Sequence, residues 1–139
     1  TLIGGGGDDL LIGDMGHDTY IWLPGATGTD TVQGLTANYN GAPEGDRLDL
    51  SQLLDGENGA GPVADLFKFL DVQLVGSDTV INVSAAGLFS ATDGNPHPVT
   101  DIDQSIVLKN TDLFATYGAN EADVISGMLG DGTLEVDTV

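Results

Sequence analysis

A nine-residue period at the start of the chain constrains its fold more than any other feature. Gly4-Gly5-Gly6-Gly7-Asp8-Asp9-Leu10-Leu11-Ile12 aligns with Gly13-Asp14-Met15-Gly16-His17-Asp18-Thr19-Tyr20-Ile21. Gly4 matches Gly13, Gly7 matches Gly16 and Asp9 matches Asp18. Leu2, Leu11 and Tyr20 recur as large apolar residues, as do Ile3, Ile12 and Ile21, so Thr1-Leu2-Ile3 reads as the tail of an earlier copy. The pattern is G-G-x-G-x-D-x-U-x, a turn followed by a three-residue strand that buries its U side chain. Glycines at the turn positions permit positive φ and close backbone approach, so main-chain carbonyls can be aimed at one point. A hard cation such as Ca²⁺ takes six to eight oxygen ligands, and carbonyls plus an aspartate carboxylate supply that chemistry. One turn gives only part of a coordination sphere, so binding and stacking of turns are expected to be coupled.

A glycine- and aspartate-rich linker is the plain alternative for GGGGDD alone. Two copies in register, with their apolar positions also in register, argue against it. A third copy would begin at Trp22, but Thr27 then falls where the carboxylate belongs, so the regular repeat is expected to end near Ile21.

Charge points the same way. The 139 residues carry 22 Asp and Glu against 3 Lys and Arg, a net −19. Residues 1–46 hold Asp8, Asp9, Asp14, Asp18, Asp30, Glu44 and Asp46 with no Lys or Arg before Arg47. Such a chain repels nucleic acid and anionic membranes, and repels itself when compact unless cations neutralise it. A hydrophobic fraction of 40% separates it from a disordered acidic tail. With no cysteine, disulfides, thiolate catalysis and cysteine-based zinc sites are excluded. No apolar run is long enough for a membrane-spanning helix. There is no N-terminal basic signal segment, and the start in mid-pattern leads us to expect a piece of a longer protein.

Beyond the repeat, residues 19–23, 30–35 and 47–50 read as strands, with a turn at 24–28 and a loop at 38–45. Ser51 could cap a helical turn through Leu54. Pro62 could open a short helix with Val63, Leu66, Phe67 and Leu70 on one face. Residues 72–75 and 79–83 read as a hairpin across Gly76-Ser77-Asp78, and residues 87–100 as a polar excursion. Residues 105–109 form a further strand. Asn120 is a suitable N-cap for a helix over 121–129 with Gly130 at C′, and residues 133–136 close the chain as a strand. The expected fold is mainly β: a short calcium-binding parallel β-roll over residues 1–23, running without a break into a β-sandwich-like body over 24–139 with two or three short helices.

The run Asp18-Thr19-Tyr20-Ile21-Trp22, then Thr29-Asp30-Thr31-Val32, then Gly45-Asp46-Arg47-Leu48-Asp49-Leu50-Ser51, resembles the end of RTX (repeats-in-toxin) proteins. Val124-Ile125-Ser126-Gly127-Met128-Leu129-Gly130-Asp131-Gly132-Thr133-Leu134-Glu135-Val136 is similar to the type I secretion C-terminal target domain that ends large bacterial RTX adhesins. The resemblance implies a non-catalytic domain exported C-terminus first through an ABC-transporter channel of a Gram-negative bacterium. The uncleaved signal would lie in the last tens of residues. It implies a secreted or cell-surface location, Ca²⁺ as the bound ion, and a type I secretion machinery as partner, with no membrane insertion and a monomeric state for the piece. Ions would lie between turns two repeats apart. The ligands carried over are Gly4, Gly5, Gly6, Gly7 and Asp9 in the first turn and Gly13, Asp14, Gly16 and Asp18 in the second. Asp30 stands in for a partner, and Asp46 is a further candidate.

Two other classes compete. RTX ends also occur on secreted proteases and lipases, but this chain has no H-E-x-x-H and no G-x-S-x-G. His17 and His97 read as surface residues, and the adjacent Asp8 and Asp9 fit a calcium turn better than a hydrolase pair. A calcium-dependent glycan-binding module would need an exposed aromatic from among Trp22, Tyr39 and Tyr117. Trp22, Phe67, Phe69, Phe89 and Phe114 read instead as core.

Overall fold

The structure is a computed structural model. It describes residues 2–13, 15–23, 27–36, 45–52, 69–84, 102, 104–118 and 121–136, without the side chains of 121 and 122. Among these residues the chain is mainly β, with two sheets and two helices. The strands are β1 (Leu2–Ile3), β2 (Leu10–Ile12), β3 (Thr19–Ile21), β4 (Gly28–Gln33), β5 (Arg47–Asp49), β6 (Leu70–Val75), β7 (Asp78–Val83), β8 (Gln104–Lys109) and β9 (Leu134–Glu135). The helices, α1 (Leu113–Tyr117) and α2 (Glu121–Asp131), fall between β8 and β9.

The first five strands alternate between the sheets. One sheet is ordered β1-β3-β5-β9 and is parallel throughout. The other is ordered β2-β4-β8-β7-β6, parallel from β2 to β8 and antiparallel from there to β6. The chain therefore winds, crossing from one sheet to the other at each turn. Leu2 pairs with Tyr20, eighteen residues on, which is two nonapeptides. Leu10 pairs with Thr31 and Thr19 with Arg47, which widens the step to 21 and then 28 residues.

The added residues lie in the turns. Six residues separate Ile3 from Leu10 and Ile12 from Thr19, whereas the register leaves 22–30 between their partners Ile21 and Thr31, and 34–46 between Gln33 and Arg47. The pairing of the strands thus survives insertions between them. It continues in the same sheets to β8, where Gly28 meets Gln104, and to β9, where Leu48 meets Leu134.

The two-residue alternation of strands decides what is buried. Leu11 and Tyr20 point inward, while Ile3 and Ile12 face solvent. The core between the sheets includes Val32, Leu48, Val72, Ile81, Ile106 and Leu108, and Trp22 belongs to it as expected. Leu113, Val124, Ile125 and Met128 bring the helices onto the same cluster. This arrangement of two sheets about a common core is consistent with the sandwich-like body.

The structure moves several expected elements. Leu70, assigned to a helical face, opens β6 instead, where it pairs with Val83. Val63, Leu66 and Phe67 lie outside the described residues, as do Leu54, the loop at 38–44 and the excursion at 87–100. Residues 51–52 form a turn, with Ser51 bonded through its amide and hydroxyl to the Asp49 carboxylate. The hairpin turn is Gly76-Ser77, with Gly76 at φ +64; Asp78 already belongs to the strand. Helix α2 passes through Gly130 and ends before Gly132, whose φ of +85 supplies the left-handed residue expected one step earlier. Helix α1 was not anticipated, although its signal is present: Asp112 caps it by accepting from the Ala115 amide at 3.0 Å.

Candidate metal centre

Each nonapeptide turn is shaped by glycine at the positions the pattern requires. Gly7 and Gly16, four residues into their repeats, have φ +101 and +97. On the first side of the winding, turn 4–9 is zipped to its counterpart. The Gly7 amide donates to the Thr27 carbonyl at 3.0 Å, the Thr29 amide to Asp8 Oδ1 at 2.8 Å, and the Thr31 amide to the Asp9 carbonyl at 2.8 Å. Gly28 makes this approach possible. Its φ is +107, and a β-carbon there would run into the Gly7 carbonyl oxygen.

The register Leu10↔Thr31 places Asp9 against Asp30, and Thr19↔Arg47 places Asp18 against Asp46. The two pairs are built alike. The Asp9 amide donates to Asp30 Oδ1 at 2.9 Å, and the Asp18 amide to Asp46 Oδ1 at 3.0 Å. A carboxylate from the later coil thus caps the main chain of the earlier one. Asp30 is fully buried and also accepts from Trp22 Nε1 at 2.8 Å and Gln104 Nε2 at 3.0 Å. Asp46, also buried, accepts in addition from the Thr36 amide at 2.8 Å. Burial raises the Asp46 carboxyl above its ordinary value. The amides of Thr36 and Asp18 oppose the rise, the Asp18 charge adds to it, and His17 opposes it. His17 is exposed but not bland: its Nδ1 donates to the Gly45 carbonyl at 2.6 Å, so the proton is on Nδ1.

The earlier carboxylates are served differently. Asp9 Oδ2 and Asp18 Oδ2 are each buried without a hydrogen-bond partner. A polar oxygen taken from water and given no donor costs about 1–3 kcal/mol. Both oxygens border the first glycine of their own turn. A methyl group on Gly4 would sit 3.2 Å from Asp9 Oδ2 and 3.1 Å from Asp30 Oδ2. One on Gly13 would collide with the Asp18 carboxylate and lie 2.5 Å from the Tyr20 hydroxyl oxygen. Bare carboxylate oxygens beside a glycine, where no side chain fills the space, fit a hard, oxygen-seeking cation. Among the described residues no three His, Cys, Asp or Glu side chains converge as a metal-holding group. Side-chain carboxylates alone therefore do not make up a full donor set among the described residues, and the remainder would have to come from main-chain carbonyls.

Of the expected ligand residues, Gly4, Gly5, Gly6, Gly7 and Asp9 share the first turn, and Gly13, Gly16 and Asp18 the second. Asp14 lies outside the described residues. Asp30 is drawn into the first turn, but three protein donors already engage it. Asp46 occupies the equivalent place on the other side, more centrally than the sequence suggested.

The apparent failure of the third repeat at Thr27 is a displacement. Gly28-Thr29-Asp30-Thr31-Val32 supplies G-x-D-x-U three residues later, and Asp46-Arg47-Leu48 supplies D-x-U after a longer insertion. An alignment that allowed gaps within turns would have found both. Nothing local in the sequence pointed to Gln104.

Trp22 is fully buried, with its N–H committed to Asp30, so it offers no sugar-stacking face. Tyr117 is part-buried and bonds Asp131 and Thr133 through its hydroxyl, and Tyr39 lies outside the described residues. Comparison with protein-family models, curated proteins and solved structures gives no match.

Proposed function

We propose that this chain is a non-catalytic, calcium-dependent folding domain that carries a type I secretion signal at the end of a secreted RTX adhesin. The observation that carries the calcium reading is the pair of buried, partnerless oxygens, Asp9 Oδ2 and Asp18 Oδ2, at equivalent places in consecutive nonapeptides. The eighteen-residue parallel step between β1 and β3 is the step a calcium-binding β-roll takes, and it supports the same reading. Stacked carboxylates need a counter-charge. Within residues 1–46 the sequence supplies no Lys or Arg.

When bound, Ca²⁺ would supply the missing positive charge between turns. Asp9 and Asp18 would each hold an ion with carbonyls of its own glycine turn, while Asp30 and Asp46 hold the main chain of those turns in place. At low calcium, repulsion among the aspartates disfavours the wound state and leaves the chain threadable. Extracellular modules of this chemistry bind with Kd about 10⁻⁴–10⁻³ M, and each ion adds stability as RT ln(1 + [L]/Kd).

The secretion reading has to accommodate the packing of the C-terminal segment. Val124, Ile125, Met128, Leu134 and Val136 are buried. Strand β9 is bonded to β5 through Leu48 N to Thr133 O at 2.6 Å and Leu50 N to Glu135 O at 2.9 Å. An exporter would have to read these residues before the domain folds, which a calcium-gated fold permits.

Circular dichroism in EDTA followed by calcium titration tests the gate. The expected result is an unfolded apo chain that gains β signal cooperatively. A cooperatively melting apo chain would overturn the proposal. Secretion of a reporter fused to residues 1–139, with and without the last helix and strand, tests the export signal.

A further inference from the structure

Gln104 opens β8, seventy-four residues from Asp30 in sequence. It is fully buried. Its Nε2 donates to Asp30 Oδ2 and to the Ser105 carbonyl, each at 3.0 Å, while its Oε1 has no partner. Both Nε2 contacts are acceptors, which fixes the orientation of the amide. A buried amide with a bare oxygen is a poor core residue. Leucine or methionine would fill the volume without that penalty.

What the amide does is hold a carboxylate without bringing charge. Asp30 Oδ2 lies against the space beside Gly4 together with Asp9 Oδ2. Its other oxygen caps the Asp9 amide. Trp22 Nε1 and Gln104 Nε2 approach Oδ2 from strands of opposite sheets: Trp22 directly follows β3, and Gln104 lies on β8. Two neutral donors orient the carboxylate and leave its negative charge for a cation to answer. A lysine at 104 would answer that charge itself. Among the described residues the Asp18–Asp46 side has no matching side-chain support. Asp46 is held by the amides of Asp18 and Thr36, both near the turn it caps.

We propose that Gln104 is a positioning residue for the ion of the first turn alone; this rests on the calcium reading above. It acts through Asp30 and makes that ion position depend on the docking of β8. The ion position of the second turn is independent of it.

The test is calorimetric Ca²⁺ titration of the full 139-residue chain in two backgrounds. Asp18→Asn leaves only the first ion position, and Asp9→Asn only the second. Added to Asp18→Asn, Gln104→Leu is expected to weaken binding by about 10–100-fold, the usual cost of removing an outer support of a metal ligand. Added to Asp9→Asn, it is expected to change affinity less than about twofold, within the experimental meaning of independence. Terbium emission excited through Trp22, the single tryptophan, should show the same shift in the Asp18→Asn background. Equal losses in both backgrounds would make Gln104 a merely structural residue and overturn the proposal, as would no loss in either. A parent chain that takes up no calcium would overturn the underlying reading as well. Should Gln104→Leu fail to fold at saturating calcium, Gln104→Asn, which keeps the amide but shortens its reach, reads the same difference between backgrounds.

Discussion

The two sides of the winding solve one problem with different materials. On each side a later aspartate caps the main chain of an earlier one, and the earlier one keeps a bare oxygen. On the first side the capping carboxylate, Asp30, is held by two side chains besides the amide it caps, Trp22 close by in sequence and Gln104 seventy-four residues on. On the second, Asp46 is held by main-chain amides near its own turn, and burial lifts its proton affinity. A carboxylate can thus be kept in a protein interior either with the help of neutral side-chain donors or by backbone amides. On the first side, Gln104 ties the carboxylate itself to β8.

The largest effect that would break this symmetry is removal of the caps. Asp30→Ala strands the Trp22 indole N–H, the Gln104 amide and the Asp9 N–H. Its expected cost is about 3–5 kcal/mol, against about 2–3 kcal/mol for Asp46→Ala, which strands two amides. Urea unfolding at saturating calcium measures both, and equal losses would show that the side-chain donors add nothing. Gly28→Ala should follow at about 2–4 kcal/mol, because φ +107 and the Gly7 carbonyl both exclude a β-carbon. The matching substitution Gly16→Ala, with φ +97 and open space around it, should cost only about 1–2 kcal/mol.

The aspartates with bare oxygens give an effect on binding more than on the fully loaded fold. Asp9→Asn and Asp18→Asn should each lower the calcium stoichiometry by one, read by calorimetry. A variant that loses both ions together would mean that the sides are coupled. The smallest effect is expected from Arg47→Met. Arg47 donates to the Gly132 carbonyl and to Glu135, each at 3.0 Å, but both side chains are partly exposed. Its loss should cost about 0.5–1 kcal/mol and less in high salt, measured as a small drop in thermal midpoint.

How much of this was legible in the sequence follows from the range of each interaction. Turns 4–9 and 13–18 could be read because glycine, aspartate and an apolar strand recur at fixed spacing, and their conformations are local. Thr27 misled because a rigid nine-residue frame cannot accommodate three inserted residues. The physical constraint acts on strand pairing, which tolerates insertion, rather than on turn length. The Gln104–Asp30 bond could not be read at all, since it joins residues seventy-four apart with no periodic mark on either. Leu70 was misassigned for a related reason: an apolar residue next to Phe69 fits a helical stripe or a strand equally well until its partner Val83 is known.

The growing step of the winding also orders events in time. Leu2 finds Tyr20 by closing a short loop, whereas Gly28 must find Gln104 and Leu48 must find Leu134 across most of the chain. Loop-closure entropy grows with separation, and non-local parallel pairing is intrinsically slow. The first coils can therefore form and dissolve rapidly while the closing ladders lag. Until β8 and β9 arrive, β4 and β5 present unpaired edges to whatever strand is nearby. Refolding should then show a fast phase, calcium-dependent under the proposed function, and a slow phase set by chain topology, with the interval between them the time of greatest exposure to misassembly.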